Sequence, residues 1–252
     1  MVIEILKRLV NFLSMLRKIG LKKYLILKRE GIHYSRYEIF NKKWIKDLDI
    51  RNVLDIGANV GEFTLIFHHL FDSPVIHSFE PLPSCKEKLE EIARNKPNVT
   101  FHPYALGAKE STEVLHISSH APSSSILTMG QRHKFDYPHS AGSSDIEIEC
   151  KTLNAVMGKV KYDGNLLIKI DVQGFERQVI EGGYNIFRAA KIVVLEMSIQ
   201  ELYDGESLFD DLYSILKSLG FTYQGSLKQS ISKNDESFLQ CDGVFINHNL
   251  SN

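Results

Sequence analysis

The 252-residue sequence is poor in cysteine, carries no surplus of either charge and contains no long uncharged apolar run. Its three cysteines, Cys85, Cys150 and Cys241, are far apart and odd in number. They form no C-x-x-C pair and no disulfide framework, which suits a reducing compartment and makes the cytoplasm the expected location. Lys and Arg number 30 against 31 Asp and Glu. A near-neutral chain has no global field to draw it onto nucleic acid, so no nucleic-acid partner is expected. The absence of about 18 successive uncharged apolar residues argues against a transmembrane helix. Glu4, Lys7, Arg8, Arg17 and Lys18 interrupt the apolar start, which argues against a secretory signal. Neither H-E-x-x-H nor a comparable ligand set occurs, and no metal is expected.

What the chain does have is a globular share of apolar residues, 43%, enough for a sizeable core. Val2, Ile5, Leu6, Leu9, Leu13 and Leu16 recur at helical spacing at the start. Residues 1–30 also carry Lys7, Arg8, Arg17, Lys18, Lys22, Lys23, Lys28 and Arg29 against only Glu4 and Glu30. Such a basic amphipathic helix can rest on an anionic membrane at its inner face, or dock on its own domain with a solvated basic side. The expected organisation is a helical extension over residues 1–45 and one domain over 46–252.

From residue 51 short apolar runs alternate with helical stretches. The runs 52–56, 74–80, 98–106, 165–171, 191–197 and 242–247 read as strands. Residues 61–70, 84–95, 175–181 and 207–219 read as helices, the second capped by Ser84 with Glu87 three residues on. Residues 118–144 read as a Ser/His/Pro-rich loop between strands near 113–117 and 145–150. Strands alternating with helices predict an α/β fold, a mostly parallel sheet with helices on both faces. Ligands in such sheets bind beyond the carboxyl ends of the strands.

The sharpest motif is Asp55-Ile56-Gly57-Ala58-Asn59-Val60-Gly61, between the first strand and a helix. Gly57 and Gly61 lack a Cβ, so a ligand can approach the backbone there. Asp55 can accept from an ammonium group, and Glu80 ends the second strand, where an acceptor for ribose hydroxyls belongs. A dinucleotide would want a second glycine where Asn59 stands. S-adenosylmethionine has no pyrophosphate, and its amino group wants an acid near the turn; it is the expected cofactor.

VLDIGANVGEFT, HSFEPLPS, HPYALG, SSSIL, KIDVQGFERQVIEGG, VVLEMS and DGVFIN follow one another in this order from about residue 50 to 247. In this series the chain resembles the FkbM family of S-adenosylmethionine-dependent methyltransferases. The resemblance implies a Rossmann-like class I methyltransferase sheet of seven strands. It also implies transfer of a methyl group to a hydroxyl of a sugar in a glycan, glycolipid or glycosylated natural product, as in polysaccharide biosynthesis. It assigns Asp55, Gly57, Ala58, Asn59 and Gly61 to the methionine part of the cofactor, Glu80 to the ribose, and Ala105 and Leu106 to the adenine. Gln173 departs from the family, which more often has glutamate there.

An alcohol is a poor nucleophile until its proton is taken, so a positioned base contributes about 10²–10⁴-fold. Asp171 follows the strand 165–171, Glu176 lies on the next helix and Glu196 at the end of the strand 191–197; these are the candidate bases, Asp171 first. Its alternative role is a helix cap. Lys169, a charge inside an apolar strand, needs an acidic partner and could orient Asp171 or Glu196, or donate to the acceptor. Ser124 and Ser125 are candidates for hydrogen bonding, or part of a polar loop. His33 and Tyr37 are candidates for an aromatic acceptor wall, or for helix packing. Two other functions share some of these features: methylation of a small amine or phosphoramidate nitrogen, which needs less base help, and a non-catalytic membrane-associated protein that works through its basic N-terminal helix.

Overall fold

The protein is described by a computed structural model covering residues 2–158 and 165–250. Helices α1 (Val2–Arg29), α2 (Tyr34–Phe40) and α3 (Lys43–Lys46) precede the sheet; α1 kinks at Gly20, whose φ is 75°. The helical face read from Val2, Ile5, Leu6 and Leu9 lies outside the described side chains. Then follow β1 (Asn52–Ile56), α4 (Glu62–Leu70), β2 (Val75–Phe79), α5 (Pro83–Asn95), β3 (Val99–His102), β4 (Ala105–Leu106) and β5 (Ser111–Ser118). The chain continues through α6 (Gln131–Asp136), β6 (Ser143–Lys151), α7 (Leu153–Met157), β7 (Leu166–Ile170), α8 (Glu176–Gly182) and α9 (Tyr184–Arg188). It ends with β8 (Ile192–Ser198), α10 (Phe209–Ser218), β9 (Phe221–Ile231) and β10 (Phe238–Asn247).

The main sheet has seven strands in the order β3-β2-β1-β7-β8-β10-β9, and only β10 runs against the rest. A small second sheet, β4-β6-β5, flanks it. Successive residues of a strand point to opposite faces. Val53, Leu167, Val194 and Val244 pack on one face with α1 to α5, while Leu54, Ile168, Val193 and Phe245 pack on the other with α7 to α10. Both faces are therefore covered, as parallel strands require. The three cysteines are buried and free.

Several local expectations are corrected. Residues 98–106 do not form one strand: β3 stops at His102, before Pro103, and Ala105 and Leu106 join the small sheet beside Cys150 and Lys151. Proline cannot donate to a ladder, so the chain turns there. Helix α5 starts at Pro83 behind Leu82, without a Ser84 cap, because proline is already set for the first helical position. The stretch 118–144 contains α6 and two 3-10 turns rather than a loop alone.

Gly57 has φ 76°, and a Cβ built there would stand 1.8 Å from the carbonyl oxygen of Asp171. One at Gly61 would meet Ile92 of α5 at 2.5 Å. These glycines let chain segments pack closely, a stricter demand than the ligand access expected of them. Gly57→Ala is expected to destabilise the fold by more than the about 1–3 kcal/mol of backbone strain alone, because the strand ends must also separate. Urea unfolding of the purified variant measures it.

Candidate active site

Parallel register sets Asp55 of β1 beside Lys169 of β7 and Lys169 beside Val194 of β8. Glu196 lies two residues beyond Val194, on the same face, and antiparallel pairing puts Asp242 of β10 opposite Glu196. One sheet face thus collects charges from four strands at its catalytic end. The Lys169 ammonium, almost fully buried, is 3.2 Å from Asp171 Oδ2, 3.4 Å from the Gly57 carbonyl and 3.8 Å from Asp55 Oδ1. It also lies 4.6 Å from the centre of the Phe63 ring. Burial works against that charge, but the two carboxylates outweigh it and raise the lysine pKa.

A narrow cleft opens beyond β1, β2 and β4. Gly57, Asn59, Glu80, Ala105 and Leu106 line it, together with Asp171. Glu80 is fixed by two backbone amides, Asn59 N–H at 2.8 Å and Leu82 N–H at 2.9 Å. Asn59 adopts φ 49° and accepts from Val60 N–H at 2.8 Å. Asp55, Ala58 and Gly61 do not line the cleft. Asp55 is completely buried, accepts from the Thr64 hydroxyl at 2.7 Å and faces Lys169. From there it supports the floor beneath Lys169.

A second hollow, of about 440 Å³, opens on the charged face. Lys169, Asp171, Glu196 and Asp242 form its floor, and Arg36, Ile39 and Phe40 of α2 close one side. Asp171 and Gln173 line both hollows and stand at their junction. The Gln173 amide donates to Asp171 Oδ1 at 2.8 Å and to Glu196 Oε2 at 2.6 Å. Its oxygen accepts from the Tyr203 hydroxyl at 2.8 Å. Burial, then the charges of Asp171 and Asp242, push the Glu196 carboxyl well above the usual range. Burial, then Asp171, push Asp242 up to about 6.

The other expected residues fall elsewhere. Ser124 and Ser125 line the narrow cleft; Ser125 donates to the Gln173 carbonyl at 2.6 Å and Ser124 accepts from Ser118 N–H at 3.1 Å. Tyr37 is buried in the core and His33 is exposed; neither lines the large hollow, which takes its neighbours Arg36 and Phe40 instead. A helix turn explains this, since successive residues face different ways. Sequence reading missed Tyr203, Asp242 and His133. Tyr203 follows the end of β8, so the rule of looking beyond strand ends could have found it; Asp242 lies within the reversed strand β10 and needed its pairing with β8.

Glu176 lines neither hollow. It is buried, accepts from Val172 N–H at 3.0 Å and braces the turn between β7 and α8, away from the position expected of a base. Burial pushes its carboxyl from an ordinary 4.5 up to about 8. The folded protein then holds this proton where the unfolded chain has lost it, so stability falls as pH rises between those values and levels off above. One proton gives a slope of at most about 1.4 kcal/mol per pH unit. Glu176→Gln is expected to remove that slope and gain on the native chain from pH 5 to 8. Urea titrations of both across this range read it directly.

Residues 55–223 match the family described as Methyltransferase FkbM domain. The chain is 28% identical over 186 residues to the 2-O-methyltransferase NoeI of Sinorhizobium fredii (strain NBRC 101917 / NGR234), covering 68% of this chain and 73% of the relative. It is 24% identical over 197 residues to the 31-O-demethyl-FK506 methyltransferase FkbM of Streptomyces tacrolimicus, covering 68% and 72%. Among solved structures, the fold is similar to methyltransferase FkbM from Methylobacillus flagellatus KT, with a TM-score of 0.51 at 13% identity. That match covers 82% of this chain but only 47% of the solved one. With the family match spanning most of the chain, the protein belongs to the FkbM family and is an S-adenosylmethionine-dependent methyltransferase.

Proposed function

We propose that the protein transfers a methyl group to a hydroxyl of a sugar in a glycan, glycolipid or glycosylated natural product, as a step of polysaccharide or related biosynthesis. One observation carries this reading: Asp171 stands where a narrow cleft and a wide polar hollow meet. The cleft suits an adenosyl group by its donor set. Glu80, with both oxygens fixed, is available to ribose hydroxyls, and Ala105, Leu106 and Phe79 give apolar walls to a base. When bound, S-adenosylmethionine supplies a methyl group on a positively charged sulfur.

The chain's own residues then have three tasks. The hollow, of about 440 Å³, is within the size of small-molecule sites and holds the acceptor. Asp171 takes the proton of the reacting hydroxyl. Lys169 and Gln173, one on each carboxylate oxygen, hold that group in a single orientation. The similarity to proteins named as O-methyltransferases supports an oxygen acceptor. We read residues 1–45 as an extension to the methyltransferase domain over 46–252, with α2 serving as a wall of the hollow.

We also place the protein in the cytoplasm, with residues 1–30 resting on the inner membrane face. None of the described helices is long and apolar enough to cross a membrane. Val10, Leu13, Leu21 and Leu25 of α1 are exposed among lysines and arginines, as surface binding to anionic lipid requires.

Asp171→Asn is expected to keep the affinity for S-adenosylhomocysteine within about threefold, while turnover falls by about 10²–10⁴-fold. Calorimetry with S-adenosylhomocysteine, and transfer of labelled methyl groups to a saccharide panel, separate the two; undiminished turnover removes the base role. Leu21→Glu with Leu25→Glu is expected to lower co-sedimentation with phosphatidylglycerol vesicles to the level seen with phosphatidylcholine. Equal pelleting of variant and native chain would withdraw the membrane assignment.

A further inference from the structure

The large hollow has a rim unlike its floor. The floor carries three carboxylates, Asp171, Glu196 and Asp242, around the single ammonium of Lys169, whereas Arg36, Lys228 and Lys233 line the upper wall. Arg36 is held by Glu62 at 2.8 Å through one nitrogen, which leaves its other donors available. Lys228 and Lys233 are exposed, and among the described residues neither makes an ion pair. These three come from α2, from β9 and from the turn after β9, so chain proximity does not explain why all line one hollow. Nor does neutralisation of the floor. Lys228 and Arg36 act on Asp242 only weakly, after burial, Asp171 and Lys169, and its carboxyl still sits at about 6.

A second observation comes from the same wall. His133 lines the hollow and is only 3% exposed, yet neither ring nitrogen has a hydrogen-bond partner. The rings of Tyr137 and Tyr203 flank it at 5.0 and 5.1 Å. Burial pushes this imidazole down to about 4, so near neutral pH it is uncharged, with one N–H to donate and one nitrogen to accept. Buried polar groups are rarely left unpaired, because each costs about 1–3 kcal/mol. A hydroxylated ligand drawn against this wall of the hollow would offer one of those nitrogens a partner.

We propose that the acceptor is an acidic sugar derivative: its reacting hydroxyl meets Asp171 on the floor, an oxyanion on the sugar is held by Lys228, Lys233 and Arg36, and His133 pairs with a further hydroxyl. This rests on the sugar-methylating reading above and narrows its substrate class. The carboxylates set the direction of entry, since an anion repelled from the floor and drawn to the rim presents its neutral hydroxyl end inward. The oxyanion is either the carboxylate of a uronic acid or a phosphate joined to the sugar.

The test uses the full chain saturated with S-adenosylhomocysteine, with binding read by calorimetry at low salt. The probes are glucose, glucuronate, glucose 1-phosphate and inorganic phosphate. At least one acidic sugar is expected to bind tenfold or more tightly than glucose. Lys228→Ala with Lys233→Ala is expected to abolish the preference, Lys228→Arg with Lys233→Arg to retain it, and His133→Gln to weaken both glucose and the acidic sugar alike. Preference for glucuronate, unaffected by phosphate, assigns a carboxylate; preference for glucose 1-phosphate with competition by phosphate assigns a phosphate. Equal binding of neutral and acidic sugars, or a preference that survives the alanine pair, overturns the inference. Failure of the native chain to bind S-adenosylhomocysteine would instead strike the cofactor site, and is seen in a separate titration.

Discussion

Lys169 places an ammonium group on a sheet face that water barely reaches, and removing one partner of such a buried charge typically costs about 3–5 kcal/mol. The two carboxylates within 4 Å come from different segments, Asp55 from β1 and Asp171 from the turn after β7. Holding both against one nitrogen ties the ends of adjacent strands together. The missing Cβ of Gly57 permits the same approach from the backbone side, where the carbonyl of Asp171 comes close. The junction between the two hollows is thus a consequence of charge pairing inside the sheet. Asp171 is presented to ligands because Asp55, entirely buried, shares the neutralisation of the lysine from beneath.

The single reversed strand matters as much. A parallel strand at the position of β10 would bring its last residues, not its first, beside the end of β8. Because β10 runs backwards, its first half lies beside the end of β8, and Asp242 stands opposite Glu196. Burial, and after it the crowding of carboxylates, raises Glu196 and Asp242, while the ammonium sits against Asp171. Groups of one chemical type are thereby separated in role by their neighbours. Glu196 and Asp242 are suited to share protons with a ligand or with each other.

The parallel core and the glycine turn were legible because apolar runs and strand-end acids carry their signal in local sequence. Lys169 announced itself as a charge in an otherwise apolar strand. What local sequence could not show was which face each residue would take in three dimensions. Of the two readings for Tyr37, acceptor wall or helix packing, the packing one holds: its helix turns it into the core and turns Arg36 toward the hollow. Glu176 looked like a third base, but one turn of helix buries it under its own loop. Strand β9, FTYQGSLKQSI, escaped notice because it lies at the sheet edge, largely exposed and broken by Gly225, so its apolar alternation is weak. His133 had no signal at all, since its significance comes from having no partner.

Gln173 shows how one atom's chemistry organises the rest. Its backbone is left-handed, with φ 56°, an arrangement that costs a non-glycine residue of order 1 kcal/mol and persists only where the surroundings hold it. Ser125 holds its carbonyl, Tyr203 holds its amide oxygen, and the strain aims its amide nitrogen between Asp171 and Glu196. A glutamate at this position would set a third carboxylate against those two, with no proton donor to bridge them unless it were itself protonated. The amide has two N–H groups, one for each carboxylate, so both can approach closely without sharing a proton. The acids themselves fix which end of the amide faces them, because a carboxylate accepts and only the amide nitrogen donates. The glutamine amide thus gives the junction two hydrogen bonds in place of repulsion, and keeps Asp171 aimed at the larger hollow.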